Sequence, residues 1–232
     1  MNAKSIAMTR STVAQDTISR LLDAAERQFG EHGYDGVGMR ALAEAAKVNL
    51  GATTYHFGSK RALYIETFMR RFRPINAERL RLLREAQRLV KDGIVPVETI
   101  VDCMLRPSYF LGLAHPGFNS LLARNFAMPP AFLRVAFYRE FEPNVRQFIA
   151  SLHRSLAHVQ PDLIQLRVMF SMGPLFIIAA QIEKLPALRA PALQESIFRE
   201  LVRFISAGLQ SDPAVPTARW PFDPYPPKAP RG

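Results

Sequence analysis

The amino-acid sequence predicts an all-helical protein, and three observations predict it. Apolar residues recur at steps of three and four along most of the 232 residues. Period-two alternation, the mark of a half-buried strand, is absent. Glycine and proline gather at a few places and leave segments of helical length between them. Hydrophobic residues make up 48% and charged residues 22%, the balance of an ordinary globular chain with ample side-chain volume for a core. The length suits one large domain or two small ones.

The first element carries Ile18, Leu22, Ala25 and Phe29 on one face, with Asp16 or Thr17 placed to cap its start. Residues 1–14 are expected to form a flexible arm ahead of it. Gly30, Gly33, Gly36 and Gly38 end the helix and supply a turn. A short helix from Met39 to Ala46 follows, then Lys47-Val48-Asn49, then a second short helix from Leu50 to Phe57. Gly58-Ser59 makes a new cap, and a longer helix starts at Lys60 with Tyr64, Phe68 and Phe72 on one stripe. Pro74 is expected to kink or interrupt it, after which a basic amphipathic stretch runs to Val90. Downstream, residues 97–114, 118–128, 131–156, 163–185 and 193–209 each show helical apolar spacing. Pro107, Pro143 and Pro174 fall inside these patterns and are expected to bend them. From Ser211 the chain is dense in proline, ending in Trp220-Pro221-Phe222 and Tyr225-Pro226-Pro227, so 211–232 reads as a tail without helix or strand.

Charge narrows the partners. The formal net charge of +10 points to a polyanion, either nucleic acid or an anionic membrane surface. The segment up to Lys91 is the more basic per residue, so that end should meet the polyanion. Arg70–Arg88 is the membrane-surface candidate, but Glu78 and Glu85 dilute it. The window from Leu163 to Ile182 is the most apolar. Gln165, Arg167, Gln181 and the Gly173-Pro174 pair interrupt it, which argues for a buried helix rather than a membrane span. Between Lys4 and Arg10 there is no apolar stretch of signal-peptide type. The single cysteine, Cys103, excludes an intramolecular disulfide and fits a reducing cytoplasm; lying in an apolar stretch, it reads as a small core residue rather than a redox sensor.

Two short helices joined by a tight turn on a longer first helix describe a helix-turn-helix, whose second short helix enters the major groove of DNA. Residues 17–72 also carry an ordered pattern: Ala24-Ala25 and Phe29, Gly33-Tyr34, Met39-Arg40 with Leu42-Ala43, Ala45-Ala46 with Val48-Asn49, and Tyr55-His56-Phe57 with Ser59-Lys60 and Leu63. This pattern resembles the DNA-binding domain of the TetR family of bacterial regulators. The resemblance implies a head over 15–73 and a larger helical body over 74–210 that binds an effector and dimerises. The implied DNA-contacting residues are Arg40, Asn49, Leu50, Gly51, Ala52, Thr53, Thr54, Tyr55, His56 and Lys60. Tyr55 and His56 would meet the sugar-phosphate backbone, Arg40 a phosphate or a guanine edge, and Ser59 would cap a helix whose amides and Lys60 hold a phosphate. The chain departs from the family pattern at Gly38, where Ser or Thr is usual, at Lys47, where Gly is common, and at Thr54, where Tyr is common.

The body is implied to hold a ligand pocket and to dimerise through the helices near 163–185 and 193–209. Tyr109, His115, Arg124, Asn125, Tyr138 and Arg167 are the polar groups that could orient a ligand. The expected protein is therefore a homodimeric repressor, released from a near-palindromic double-stranded operator by a small apolar effector, acyl-like or aromatic. No catalytic motif stands out, and no cofactor, metal or membrane partner is expected; His153 and His158 lie on different helix faces, and the glycines of 30–38 lack a phosphate-loop ending. The rival expectation is a cytoplasmic binding protein or enzyme for an apolar metabolite that makes no use of DNA.

Overall fold

The computed structural model describes residues 3–182 and 190–212; the side chains of 3–13 and of a few positions from 127 to 182 are outside that description. Nine helices and no strand occur among the described residues: α1 (Ala3–His32), α2 (Met39–Ala45), α3 (Leu50–Phe57), α4 (Lys60–Leu89), α5 (Val97–Ala114), α6 (Pro116–Ala127), α7 (Ala131–Ser155), α8 (Pro161–Ile182) and α9 (Pro191–Gln210). The all-helical expectation is met. The segment 183–185 of the expected 163–185 helix and the tail beyond Asp212 lie outside the described residues.

Two boundaries differ from expectation. α1 starts at Ala3, so the segment expected as an arm is helical in its backbone, and Asp16 and Thr17 fall inside the helix rather than at its cap. No glycine or proline lies between Ala3 and Phe29 to stop propagation. Asp16 instead pairs with Arg20 one turn on, at 3.0 Å. Likewise α4 runs unbroken through Pro74. Proline removes one backbone bond there, but buried Phe72, Ile75 and Leu83 on both sides hold the helix to its neighbours. The nominal border at 73/74 between head and body therefore falls inside one continuous helix.

The turn chemistry follows the sequence. Gly33 closes α1 in the left-handed region at φ 74°, its amide bonded to the Phe29 carbonyl. Ser59 caps α4 by accepting from the Ala62 amide at 3.2 Å. Gly38 caps α2 with no side-chain bond, as a glycine must. Lys47, in the turn between α2 and α3, is the one non-glycine with positive φ among the described residues, at 55°. An L-residue costs about 1–2 kcal/mol there, partly offset by the entropy a glycine loses on folding. Lys47→Gly is therefore expected to raise stability by about 0.5–1 kcal/mol in urea unfolding. A fall would show that the lysine side chain contributes more than its backbone strain costs.

The core forms two large clusters. One joins Leu22, Phe29, Leu42, Leu63, Phe68 and Phe72 of α1, α2 and α4 to Phe118, Leu121, Leu133 and Phe137 of α6 and α7. Phe72 and Phe137 stack at 5.1 Å between ring centres within it. The other fills the body between α4, α5, α7, α8 and α9. The helices of the head thus share their core with α6 and α7, and so cannot move independently of them.

Candidate nucleic-acid interface and helical-body cavity

α3 presents one exposed face and one buried one. Leu50, Gly51, Thr54 and Tyr55 are exposed, Tyr55 by 86%, with Ala52 and His56 partly so. Thr53 is fully buried, so its place among the expected DNA contacts is corrected: the helical period turns it inward, and its hydroxyl lies 3.4 Å from the Asn49 carbonyl. Asn49 caps α3, its Oδ1 accepting from the Ala52 amide at 2.6 Å, a role the sequence reading does not assign. The Thr54 hydroxyl donates to the Leu50 carbonyl at 3.2 Å, which leaves its methyl and oxygen lone pairs to face outward. Tyr55 and His56 meet edge to face at 5.1 Å.

Positive charge frames this face. Arg40 on α2 and Lys47 in the turn are exposed. α4 begins with Lys60 and Arg61 and has no acidic residue in its first turn, so its free amides and dipole add to their charge. Lys60 Nζ sits 4.3 Å from the centre of the Tyr34 ring, and the Arg61 guanidinium 5.7 Å from that of Phe132. Tyr34 in turn packs on Tyr64 and Phe132. The cations are thus placed by aromatic platforms that belong to the core.

A cavity of about 900 Å³ opens in the body between α4, α5, α6, α7 and α8. Of the six polar residues expected to orient a ligand, Tyr138 alone lines it. The other five stand outside its lining, and three of them, Tyr109, Asn125 and Arg167, make hydrogen bonds elsewhere. Tyr109 is buried and donates to Gln194 Oε1 at 2.9 Å, tying α5 to α9; burial pushes its phenol up to about 12. Asn125 accepts from the Tyr64 hydroxyl at 3.0 Å and donates to the Leu121 carbonyl at 2.7 Å. Arg167 donates to the Leu209 carbonyl at 2.8 Å. Arg124 is exposed beside Gly33, and His115 stands 4.0 Å from Glu26. Cys103 is buried in the core, where burial raises its thiol to about 11, far from the thiolate a redox sensor needs. No group of three or more metal-ligating side chains occurs among the described residues, and no described helix is long and apolar enough to cross a membrane.

Residues 21–67 match the profile of bacterial regulatory proteins of the tetR family, and residues 109–208 match that of the tetracyclin repressor-like C-terminal domain. The chain belongs to the TetR family. Among curated TetR-family relatives, the transcriptional regulatory protein RaaS of Mycobacterium tuberculosis is 53% identical over 45 residues, which is 19% of this chain and 21% of RaaS. The transcriptional repressor AcnR of Corynebacterium efficiens is 44% identical over 45 residues, 19% of this chain and 24% of AcnR. The matched part is thus about a fifth to a quarter of these relatives. Among solved structures, the fatty acid degradation regulator FadR of Bacillus halodurans superposes with a TM-score of 0.62 at 15% identity, covering 84% of this chain and 97% of that one. The regulator PfmR of Thermus thermophilus gives 0.60 at 20% identity, covering 83% and 97%. At such identities the likeness is one of fold, and it extends across both head and body.

In this TetR-family chain the head and body approach closely where α1 meets α6. α1 crosses α6 backbone to backbone: a Cβ on Gly30 would fall on the Gly117 carbonyl, and one on Gly117 would come within 3.1 Å of the Arg27 Cα and the Glu26 carbonyl. Beside the crossing, the nearly buried Glu26 accepts from Arg70 at 2.8 Å and Arg71 at 3.1 Å, while Asp23 takes a second Arg70 bond at 2.8 Å. Burial and the neighbouring Arg71 hold the His115 imidazole below its ordinary pKa, although Glu26 pulls the other way.

The sequence reading also misses Arg79 and Asn144, both buried at the cavity wall. For Arg79 a signal exists: Phe68, Phe72, Ile75, Arg79, Leu83 and Ala86 recur at steps of three and four, which places a cation on the buried stripe of α4.

Proposed function

We propose that this chain is a homodimeric, DNA-binding transcriptional repressor that a small effector releases from a near-palindromic operator. The observation that carries the proposal is the exposed α3 face with Arg40, Lys47, Lys60 and the acid-free start of α4 around it. A groove of DNA offers phosphates at both edges and base edges between them, and this face matches that order of charge and small polar groups. Leu50, Ala52 and the hydroxyl and methyl of Thr54 would read base edges, Tyr55, His56 and Lys60 the backbone, and Arg40 a phosphate or a guanine. The cytoplasm, where the nucleoid lies, is the compartment this reading requires.

Pairing of two copies is supported by α8 and α9. Phe170 on α8 and Leu193 and Phe204 on α9 are large apolar side chains exposed by 45–68% and outside the cavity lining, and a partner helix would cover them. Gly208 on α9 faces open space, which allows close approach of a partner helix. A two-fold dimer would set two α3 helices about one turn of DNA apart.

The cavity supports effector control because the helices that line it also reach the head. α4 contributes Arg79 to the wall and starts at Lys60; α6 contributes Ala123 and Phe126 and crosses α1 at Gly117. An effector that moves either helix moves the head with it, through the shared core. By linkage, the effector weakens DNA binding by the same factor as DNA weakens effector binding.

Fluorescence anisotropy on duplexes from the upstream region of the chain's own gene tests the proposal at near-physiological salt. A preference of about a thousandfold over a scrambled duplex is expected for one near-palindromic segment. Lys60→Ala should weaken binding to specific and scrambled DNA alike and lower the log-log salt slope by about 1. A genome-wide selection that enriched no sequence would overturn the reading, and would favour the binding-protein alternative.

A further inference from the structure

The cavity is apolar on most of its surface, with Phe126, Phe141, Phe148, Met104, Met169 and Met172 among its walls. One corner is polar. Arg79 on α4 is 4% exposed, and its guanidinium donates to Asn76 Oδ1 at 3.2 Å and to Ser108 Oγ at 2.6 Å. Its Nε is buried with no partner, and among the described residues no carboxylate lies within 4.0 Å of it. Asn144 on α7 lines the same cavity and leaves its Oδ1 buried and unpartnered. The two residues belong to one network, since Asn76 and Asn144 both donate to the Glu140 carbonyl, at 3.3 and 3.4 Å.

A buried cation normally acquires a carboxylate partner, because neutral hydrogen bonds replace its lost hydration only in part. Arg70, Arg71 and Arg106, partly buried among the helices of this chain, have one: Arg70 and Arg71 hold Glu26, and Arg106 holds Asp102 and Glu195. Arg79 does not, and its burial pushes the guanidinium down to about 10. Two acids do line the cavity, Glu142 and Asp162, but both are exposed, and Glu142 is bonded to Arg146 at 2.6 Å. The cavity volume of about 900 Å³ is within the range of small-molecule sites and exceeds what the corner needs for water.

We infer that the cavity takes an amphiphilic organic anion, with its carboxylate on Arg79 at the polar corner and its apolar chain or ring system along the Phe- and Met-lined wall. This rests on the effector reading above and deepens it, from an apolar molecule to one with a single anionic head. The buried guanidinium, which no acid of this chain holds among the described residues, gives the carboxylate an uncompensated charge to meet at the cavity wall, and Asn144 at the same corner carries a side-chain amide with hydrogen-bonding capacity unspent. The apolar body supplies burial, and the paired charge supplies selection among bodies of equal size.

Calorimetric titration of the full chain with dodecanoate, dodecan-1-ol and dodecylammonium at neutral pH tests this, since the three share a tail and differ only in head charge. Wild type is expected to bind dodecanoate about tenfold or more tighter than the alcohol, and the cation weakest. Arg79→Gln should bring dodecanoate to the affinity of the alcohol, and Arg79→Lys should restore part of the difference. If Arg79→Gln does not fold, Arg79→Lys reads the same dependence, because it keeps the charge but loses the guanidinium fork, and an acid preference unchanged in Arg79→Lys overturns the assignment to Arg79. Equal affinity for acid and alcohol, or preference for the cation, overturns the inference while leaving an apolar effector site standing. An acid preference that survives Arg79→Gln also overturns it. Failure of all three probes to bind removes the effector reading too, and leaves the DNA measurement to stand alone.

Discussion

Gly30→Ala is expected to lower the stability of the chain by about 3 kcal/mol, the upper part of the range for overpacking. The new methyl would fall on the Gly117 carbonyl, which is backbone and has no rotamer by which to escape. α1 and α6 must then part, and the core they share through Phe29, Phe118 and Leu121 opens with them. Gly117→Ala meets α1 at 3.1 Å and should cost less, since a shift of a few tenths of an ångström relieves it. Urea unfolding of the two variants gives the order. A Gly30→Ala midpoint within error of wild type would show that the crossing does not constrain the fold. Because this crossing links cavity and head in the proposed mechanism, Gly117→Ala should also reduce the factor by which an effector weakens DNA binding.

The second large effect concerns Glu26. Removing a buried carboxylate strands the cations it held, at a cost of about 3 kcal/mol in buried pairs. Glu26→Ala is expected at or somewhat below that value, because Arg70 keeps its bond to Asp23 and both arginines are only partly buried. The variant has a pH signature. His115 is held below its ordinary pKa, so the folded state binds its proton less readily than the unfolded chain. The stability linked to it is therefore fully present above the ordinary histidine pKa and is lost as pH falls through the folded value. Glu26 is one of the charges that favour the imidazolium, so its removal lowers the folded pKa further and deepens the acid loss. The midpoint difference between neutral and mildly acidic solution should be larger for Glu26→Ala than for wild type. Adding His115→Gln should cancel the excess. An excess that persists in the double variant would assign the pH dependence to another group.

The head is legible in the sequence to a fine grain. Gly33, Ser59, the short helices and the turn at Lys47 stand where the residues put them, because capping and turn chemistry act within four residues. Lys60 and Tyr34 are 26 positions apart, and their contact is not legible although each belongs to the motif. Thr53 shows the same limit at shorter range. Sequence groups it with its neighbours on α3; the helical period sets it on a different face from Thr54 and Tyr55, and the packing of α3 against α2 and α4 decides which face is buried.

In the body the sequence reading fails where polar residues are ranked by type. Tyr109, Asn125 and Arg167 are the kinds of side chain that orient ligands, yet each is consumed by a neighbour more than 40 positions away or by a turn of its own helix. Arg79 reads as one more cation in a basic helix, although its register already places it on the buried stripe. What periodicity establishes is which residues of a helix share a face, and here it suffices for the all-helical class, the head and the charged, exposed residues around α3. Which buried polar group finds a partner, and which is left to receive one from outside, depends on the neighbours that folding brings to it. That is a property of packing across helices distant in sequence, and the tertiary structure alone decides it.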